Sequence, residues 1–235
     1  MARGPAPDDA SLFAAAELPR LRTAVAELAW LLDRGYAERS ALALVGNRHD
    51  LEARQRTAVL RCVCSDAQRE RRRAHRIEPE AVAGRALAID GFNVLIVVES
   101  ALAGGVLLRG RDRMIRDLAS VHGSYRRNDR TLAASVAIGE RLAALAPSSV
   151  TWLLDRPVSN SGRLELALRE LATERGWPWT IELDYNPDRR LADFEGPVAT
   201  GDAWILDHAE QFVDLADAVV AERCPGAWII DLDGC

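Results

Sequence analysis

Residues 87–103 read LAIDGFNVLIVVESALA, and the pattern changes from strand to helix at a single aspartate. The three residues before Asp90 are apolar, as in a short strand that is buried on both faces. From Val94 to Ala103 apolar residues dominate over ten positions, a length that favours a helix. Gly91 permits a tight turn between the two elements. The stretch therefore predicts a buried strand, a turn and a helix, with a carboxylate at the junction.

Further apolar runs downstream alternate with longer segments of helical spacing. Strands are predicted at 106–108, 150–154, 179–183, 198–199 and 228–230, and helices at 112–121, 131–145, 162–175 and 202–210. Two parallel strands need a crossover connection, which is usually a helix. The alternation therefore predicts an α/β fold of three layers, in which helices cover both faces of a mostly parallel sheet.

The residues before position 87 have helical spacing instead. Helices are predicted at 18–34 and 51–64, and Ser40 is expected to cap a shorter helix that stops at Gly46. The predicted organisation is a disordered tail at 1–16, a small basic helical domain at 17–76, a linker at 77–86 and the α/β domain at 87–235.

The composition is that of a packed globular protein, because 49% of the 235 residues are hydrophobic and 28% are charged. No run of 18 apolar residues is present, so no membrane association is expected. Four cysteines without framework spacing favour a reduced, cytoplasmic setting. The sequence leaves the oligomeric state open.

The charge is distributed unevenly along the chain. Residues 1–88 carry 15 arginines against 12 acidic residues, whereas residues 89–235 carry 15 against 23. The run 69–76, RERRRAHR, concentrates the positive charge. Such a run is either a solvated helix face or a patch that contacts phosphates. In the second case the candidate phosphate contacts are Arg71, Arg72 and Arg73.

Three aspartates follow predicted strands. Asp90 ends the first, Asp155 follows 150–154, and Asp202 follows 198–199. The carboxyl ends of parallel strands lie along one edge, where sites form. Two unit charges 4 Å apart repel by about 4 kcal/mol at an effective dielectric constant near 20, so a cation between them is favoured. Oxygen ligands indicate Mg²⁺ or Mn²⁺. The simpler explanation for each aspartate is a turn or a helix N-cap.

The first of these motifs resembles a known one. An apolar strand followed by Asp-Gly-Phe/Tyr-Asn-Val-Leu is similar to the first motif of PIN-like nucleases, especially their NYN branch. The resemblance implies that Asp90 is a metal ligand and that Asn93 orients it. Asp155 resembles the acidic position in the middle of such domains, and Asp202 resembles the late Thr-x-Asp motif. Asp207 is then a supplementary acidic residue of the same site.

The whole chain also resembles an uncharacterised prokaryotic family that joins a short N-terminal domain of unknown function to a PIN-like domain. Matching stretches include LLDRGYAERSALALVGNRHDL, GRALAIDGFNVLIVVESAL and VATGDAWILDHAE, which lie within 28–210. The resemblance implies a fold and a site for the second part of the chain.

PIN-type nucleases place a further acidic residue on a helix between the first and middle motifs. The candidates here are Glu99, Asp112 and Asp117. Glu99 points about 120° away from Asn93 on the same helix. Asp117 is preferred, because the predicted helix at 112–121 can turn it toward the sheet edge.

Two polar segments are candidates for binding phosphate or nucleic acid. Ser159 and Ser161 precede a predicted helix, whose first backbone N–H groups can bind an anion, although a helix cap by Ser161 or Asn160 is the favoured explanation. Arg126 and Arg127 follow Tyr125, and an aromatic ring beside arginines can stack on a base and hold phosphates. A solvated loop is the alternative for the second segment.

These features together predict a metal-dependent nuclease that hydrolyses phosphodiesters with Mg²⁺ or Mn²⁺, and the resemblance favours RNA as its substrate. The alternative is a non-catalytic nucleic-acid-binding protein with a degenerate PIN-like scaffold. A missing second acidic residue would favour that alternative. A haloacid-dehalogenase-like phosphatase is disfavoured, because its first motif needs Asp-x-Asp and Phe92 stands in place of the second aspartate.

Overall fold

The computed structural model of the protein describes residues 4–118, 125 and 129–233. Its strands are β1 (Ala86–Asp90), β2 (Leu107–Arg109), β3 (Ile115–Asp117), β4 (Ser149–Asp155), β5 (Trp179–Asp184), β6 (Pro197–Ala199), β7 (Gln211–Val213) and β8 (Ile229–Asp231). Its helices are α1 (Asp9–Leu12), α2 (Leu18–Leu32), α3 (Glu38–Arg48), α4 (Ala53–Cys62), α5 (Asp66–His75), α6 (Gly91–Leu102), α7 (Asp129–Leu145), α8 (Ser161–Arg175), α9 (Pro187–Ala192), α10 (Ala203–His208) and α11 (Leu215–Arg223).

Five strands form a parallel sheet in the order β5-β4-β1-β6-β7. The central strand β1 is buried along its middle, and its Ile89 is paired with Trp152 of β4 and Ala199 of β6. Helices α6, α7, α8 and α11 share one core on one face of the sheet, and α9 and α10 share a second core on the other. The predicted three-layer α/β fold is therefore confirmed.

A second, three-stranded sheet joins the N-terminal helices to the rest of the molecule. Its order is β3-β2-β8, with β2 and β3 antiparallel. Leu108 of β2 and Ile230 of β8 belong to the same hydrophobic core as Leu28 of α2 and Val59 of α4. The helical region is thus packed against one strand from the middle of the chain and one from its C-terminal part.

The expected tail at 1–16 is wrong for the residues from 4 onward. It contains α1, and Phe13 is only 2% exposed in the core of the N-terminal helices. The carboxylate of Asp9 is buried and bonded to the guanidinium of Arg54. One buried aromatic ring and one buried carboxylate paired with an arginine order a segment whose composition is typical of a frayed end.

The expected helix at 112–121 is wrong as far as the structure describes it. The chain turns at Arg113, whose φ is 64°, and then returns as β3 along β2. The backbone N–H of Ile115 donates to the buried carboxylate of Asp214 (3.0 Å), a contact with a residue 99 positions away. Tertiary pairing has overridden the local helical spacing, and Asp117 consequently lies on a strand.

The predicted linker at 77–86 is packed rather than extended through solvent. Its Ile77 donates a backbone hydrogen bond to Phe212 of β7, and Val82 of a short 3₁₀ helix is fully buried. Helix α3 also differs from expectation, since it begins at Glu38 and runs through Gly46. Elements α9, α11 and β7 were not predicted, and all are short. No helix in the described part of the chain is long and apolar enough to cross a bilayer.

Candidate active site

The strand ends of the parallel sheet border a cavity of about 230 Å³, named here the acidic cavity. The structure brings Asp90, Asp155 and Asp202 together in its wall, as the three strand-end positions predict. The described residues that line it are Arg61, Asp90, Phe92, Asn93, Ile96, Asp117, Asp155, Val158, Pro187, Asp188 and Asp202. Five of these side chains are carboxylates.

A hydrogen-bonded turn after β6 connects the first and last aspartates. The hydroxyl of Thr200 donates to Oδ2 of Asp90 (2.8 Å) and accepts the backbone N–H of Asp202 (3.0 Å). The carboxylate of Asp202 caps α10 by accepting the N–H groups of Trp204 and Ile205. Asp202 is therefore a helix N-cap as well as a member of the cavity wall.

Asn93 acts on this turn in a way that the sequence did not indicate. Its side-chain oxygen accepts the backbone N–H of Gly201 (2.7 Å), so the side chain holds the turn rather than the carboxylate of Asp90. The backbone N–H of Asn93 is the group that bonds Asp90. A Cβ atom on Gly201 would lie 3.1 Å from a backbone oxygen and 3.3 Å from Asn93 Oδ1, so this close approach suits glycine.

Three carboxylates of the cavity, those of Asp90, Asp155 and Asp188, have raised pKa values. Burial is the largest contribution that raises the pKa of Asp90 to about 7, and the charges of Asp202 and Asp188 raise it further against the hydrogen bond from Thr200. Burial and the charges of Asp202 and Asp155 raise the pKa of Asp188. Burial also raises the pKa of Asp155. Mutual repulsion in a desolvated cavity is the condition that a cation relieves.

Basic neighbours separate the five carboxylates into two kinds. Asp117 forms an ion pair with Arg61, which also donates to its backbone oxygen. No ion pair with a described basic residue involves the other four, Asp90, Asp155, Asp188 and Asp202. Their charge is therefore not balanced by arginine within the described structure.

The donor set fits a hard divalent cation by its chemistry, since Mg²⁺ and Mn²⁺ prefer carboxylate oxygens. As placed, however, no three histidine, cysteine, aspartate or glutamate side chains among the described residues stand close enough to hold one ion. Direct coordination by three of these carboxylates would need them to rotate toward one another.

Three acidic candidates lie elsewhere. Asp207 accepts from Arg72 and Gln68 outside the cavity, so it is not a member of the site. Glu99 is fully buried beneath the sheet edge, where its carboxylate accepts the hydroxyl of Thr131 (2.6 Å). Asp112 accepts from two buried arginines. Of the three proposed second acids, only Asp117 lines the cavity.

The phosphate-binding candidates have mixed outcomes. Arg72 is 2% exposed and bonded to Asp112 and Asp207, so its expected role in binding phosphate is wrong. Arg71 donates to the backbone oxygen of Asp207, whereas the side chain of Arg73 is 82% exposed. Arg72 is buried by partners that lie 40 and 135 positions away in the sequence, and the arginine run alone cannot reveal them.

The polar loop before α8 is held by internal bonds. Ser161 is buried and its hydroxyl donates to the backbone oxygen of Arg156 (3.2 Å), while Ser159 accepts the backbone N–H of Tyr125. These contacts favour a structural explanation for Ser161. The candidates Arg126 and Arg127 lie outside the described residues.

Sequence reasoning missed two charged residues of the cavity. Asp188 stands in the first turn of α9, and the signal that could have found it is Asn186-Pro187, an N-cap residue followed by proline at the first helical position. Arg61 comes from α4 of the N-terminal helices. Only the packing of those helices against the sheet edge reveals it.

The same division into two parts is found in known protein families. Residues 79–218 match the family described as "Domain of unknown function (DUF5616)". The chain belongs to this family. Residues 20–75 match a second family, "Protein of unknown function (DUF434)". The junction between the two matches falls at 76–78, beside the predicted linker.

A similar protein extends across both parts. Over 193 residues the chain is 30% identical to "Uncharacterized protein MJ0935" of Methanocaldococcus jannaschii, which covers 81% of this chain and 92% of that protein. No solved structure matches the chain. Membership of a two-part family is therefore shown.

Proposed function

We propose that this protein is a metal-dependent phosphodiesterase of the PIN-like class, and that RNA is its substrate. The observation that carries the proposal is the acidic cavity, where four carboxylates without a described basic partner meet at the carboxyl edge of a parallel sheet. Ligands bind at this edge in open α/β sheets. The DGFNVL motif at Asp90 and its resemblance to NYN nucleases support the same reaction class.

The residues that would hold Mg²⁺ or Mn²⁺ are Asp90, Asp155 and Asp202, with Asp188 as a further carboxylate that the sequence did not single out. When bound, such an ion lowers the pKa of a water molecule and neutralises charge on a phosphate oxygen. Thr200 and Asn93 keep the turn that carries Asp202 against β1.

Hydrolysis forms a bond between the water oxygen and phosphorus and breaks the bond from phosphorus to the leaving sugar oxygen. The water loses a proton and the leaving oxygen gains one from solvent. Asp188, which is not one of the three strand-end ligands, is the carboxylate of the cavity that can accept this proton. The chain therefore supplies the charge and the proton acceptor that this reaction needs.

One observation supports the alternative, a non-catalytic nucleic-acid-binding protein. No three metal-ligating side chains in the described structure are close enough to share an ion. In an inactive scaffold these side chains would keep this separation. In an active site they would move closer together when the ion binds. The two functions differ in whether the carboxylates are needed for turnover.

The test is hydrolysis of single-stranded RNA and of bis(p-nitrophenyl) phosphate in the presence of Mn²⁺. We expect the wild-type protein to cleave both, and Asp90→Asn and Asp155→Asn to lose turnover by about 100-fold or more. Asp193→Asn is the matched control, since its exposed carboxylate lies at the end of α9 outside the cavity.

Equal activity in all three variants would show that the cavity does not perform the reaction. RNA binding without cleavage by any form would support the alternative function.

A further inference from the structure

The N-terminal helices contribute one side chain to the acidic cavity. Arg61 lies in the last turn of α4, within the part of the chain that matches the second family. Among the described residues that line the cavity, it is the one basic side chain. Its side chain is 29% exposed, so solvent and a small ligand can reach it.

Asp117 fixes the position of this arginine. Nη1 of Arg61 donates to the backbone oxygen of Asp117 (2.6 Å) and to its Oδ1 (3.2 Å). Asp117 stands on β3, which is paired with β2, the strand that α4 contacts. The guanidinium is therefore anchored at the cavity wall by two acceptors of one residue.

Arg61 also lies at the boundary between the acidic cavity and a second cleft. A neighbouring cleft of about 350 Å³ runs between the N-terminal helices and the turn that carries Asp202. It shares Arg61, Asn93, Asp117 and Asp202 with the acidic cavity. A chain-like substrate whose phosphate lies at Arg61 would thus have room on the side of the helices as well as on the side of the sheet.

A phosphodiester needs a cation at this place. Its phosphate is an anion, and the cavity wall holds five aspartates. A guanidinium forms paired hydrogen bonds with phosphate oxygens and stays charged at every physiological pH. An arginine inside an otherwise acidic wall is thus suited to hold the phosphate.

We propose that Arg61 binds a phosphate oxygen of the substrate, and that Asp117 positions Arg61 for this contact. The N-terminal helical region is then a part of the substrate-binding site. The proposal rests on the proposed function, because it concerns the same cavity. It assigns Asp117 to the arginine rather than to a metal ion.

The first test separates binding from turnover. Kinetics with bis(p-nitrophenyl) phosphate and inhibition by inorganic phosphate are compared for wild type, Arg61→Ala and Arg61→Gln. Loss of one charge-assisted contact raises KM and the inhibition constant of phosphate by about tenfold or more. Mn²⁺ affinity stays within about twofold in both variants, since other residues hold the ion.

Arg175→Ala is the matched control, because this arginine is at the far end of α8 and half-exposed. Arg61→Gln keeps a hydrogen-bond donor for Asp117 and guards against a variant that fails to fold. Arg61→Lys restores charge without the planar fork and recovers part of the phosphate affinity. If phosphate inhibits all variants equally while only their melting temperatures fall, Arg61 is merely structural and the proposal is overturned.

A second readout keeps this inference apart from the proposed function. Binding of inorganic phosphate to the protein with diamagnetic Mg²⁺ is measured by ³¹P NMR line broadening, which needs no turnover. A wild-type protein that hydrolyses nothing but binds phosphate through Arg61 supports this inference and refutes the proposed activity. Phosphate that is unbound by wild type, or bound equally by Arg61→Ala, overturns the inference.

Discussion

Two groups of aspartates lie beside the turn at 200–203, and they differ in their arginine partners. The first is the ion-paired cluster, in which Arg116 and Arg72 bond Asp112, and Arg72 also bonds Asp207. The second is the acidic cavity. The difference teaches that burial alone does not decide what a carboxylate does; its neighbours decide.

The pKa values show the contrast in numbers. Burial alone would raise the pKa of Asp112, but Arg116 and Arg72 together lower it to about 2. Burial, together with the acidic neighbours Asp202 and Asp188, raises the pKa of Asp90 to about 7. The ion-paired cluster is thus built for stability, whereas the acidic cavity costs stability unless a proton or a cation enters it.

The ion-paired cluster also stabilises the turn that carries Asp202 in the wall of the cavity. Arg116 donates to the backbone oxygen of Gly201 (2.8 Å) and Arg72 donates to that of Ala203 (3.1 Å). The two arginines therefore hydrogen-bond the backbone on both sides of Asp202. Since Arg72 belongs to α5, the basic run of the sequence stabilises the turn instead of binding phosphate through this residue.

The largest effect is expected from breaking the ion-paired cluster. Asp112→Ala leaves two buried arginines without their shared partner and lowers the free energy of unfolding by about 3–5 kcal/mol. Urea unfolding at neutral pH measures it. The control is Asp193→Ala in an exposed pair, which changes stability by less than about 0.5 kcal/mol. A loss below about 1 kcal/mol for Asp112→Ala would remove the distinction between the two groups.

The opposite sign is expected in the acidic cavity. Asp90 has a folded-state pKa of about 7, above the ordinary value of 3.8, so the folded protein loses stability as pH rises from about 4 to 7 and does not regain it above. Asp90→Asn removes this loss. At about pH 8 without metal, the variant is more stable than wild type by about 2–4 kcal/mol, and the gain vanishes near pH 4.

Urea unfolding at both pH values measures this difference. If Asp90→Asn is less stable than wild type at both pH values, the pKa of Asp90 is not raised in the folded protein.

A smaller effect is expected from the hydroxyl that holds Asp90. Thr200→Val keeps the shape of the side chain and removes one donor to the carboxylate and one acceptor for Asp202 N–H. Above pH 7 the loss of stability is about 1–2 kcal/mol. Thr173→Val, on exposed α8 surface, is the control and changes little. Equal losses of stability in Thr200→Val and Thr173→Val would show that the hydroxyl of Thr200 does not stabilise the turn.

The smallest effect is expected at the exposed end of the arginine run. Arg73→Ala removes a side chain that is 82% exposed and 3.9 Å from Glu70, so stability changes by no more than about 0.5 kcal/mol. Arg72→Ala is the comparison and loses several times more, because its charge is buried against Asp112 and Asp207. Thermal melting of the two variants is sufficient. Similar losses would contradict the assignment of Arg72 to the interior.

The central sheet and three site positions could be predicted because their signal is local. Strands β1, β4 and β6 contain apolar runs, and aspartates follow them at the strand end or after a short turn. Parallel topology then places Asp90, Asp155 and Asp202 on one edge. No contact between distant parts of the chain is needed for this step.

The other elements and site residues depend on contacts between distant parts of the chain. Strand β3 carries two charged residues in three positions, so no apolar run marks it, and it is defined by its pairing with β2. Arg72 looks like its exposed neighbour Arg73, and only partners 40 and 135 positions away bury it. Arg61 reaches the cavity because α4 packs beside β2, which no spacing within α4 encodes.

Binding of Mn²⁺, followed by the loss of the free-ion EPR signal at neutral pH, tests the central claim most directly. Four carboxylates of the acidic cavity have no arginine partner among the described residues, so wild type and Asp207→Asn both take up the ion, whereas the double variant Asp155→Asn/Asp202→Asn does not. A wild-type protein that leaves Mn²⁺ free, or a double variant that binds it as well as wild type does, would contradict the account.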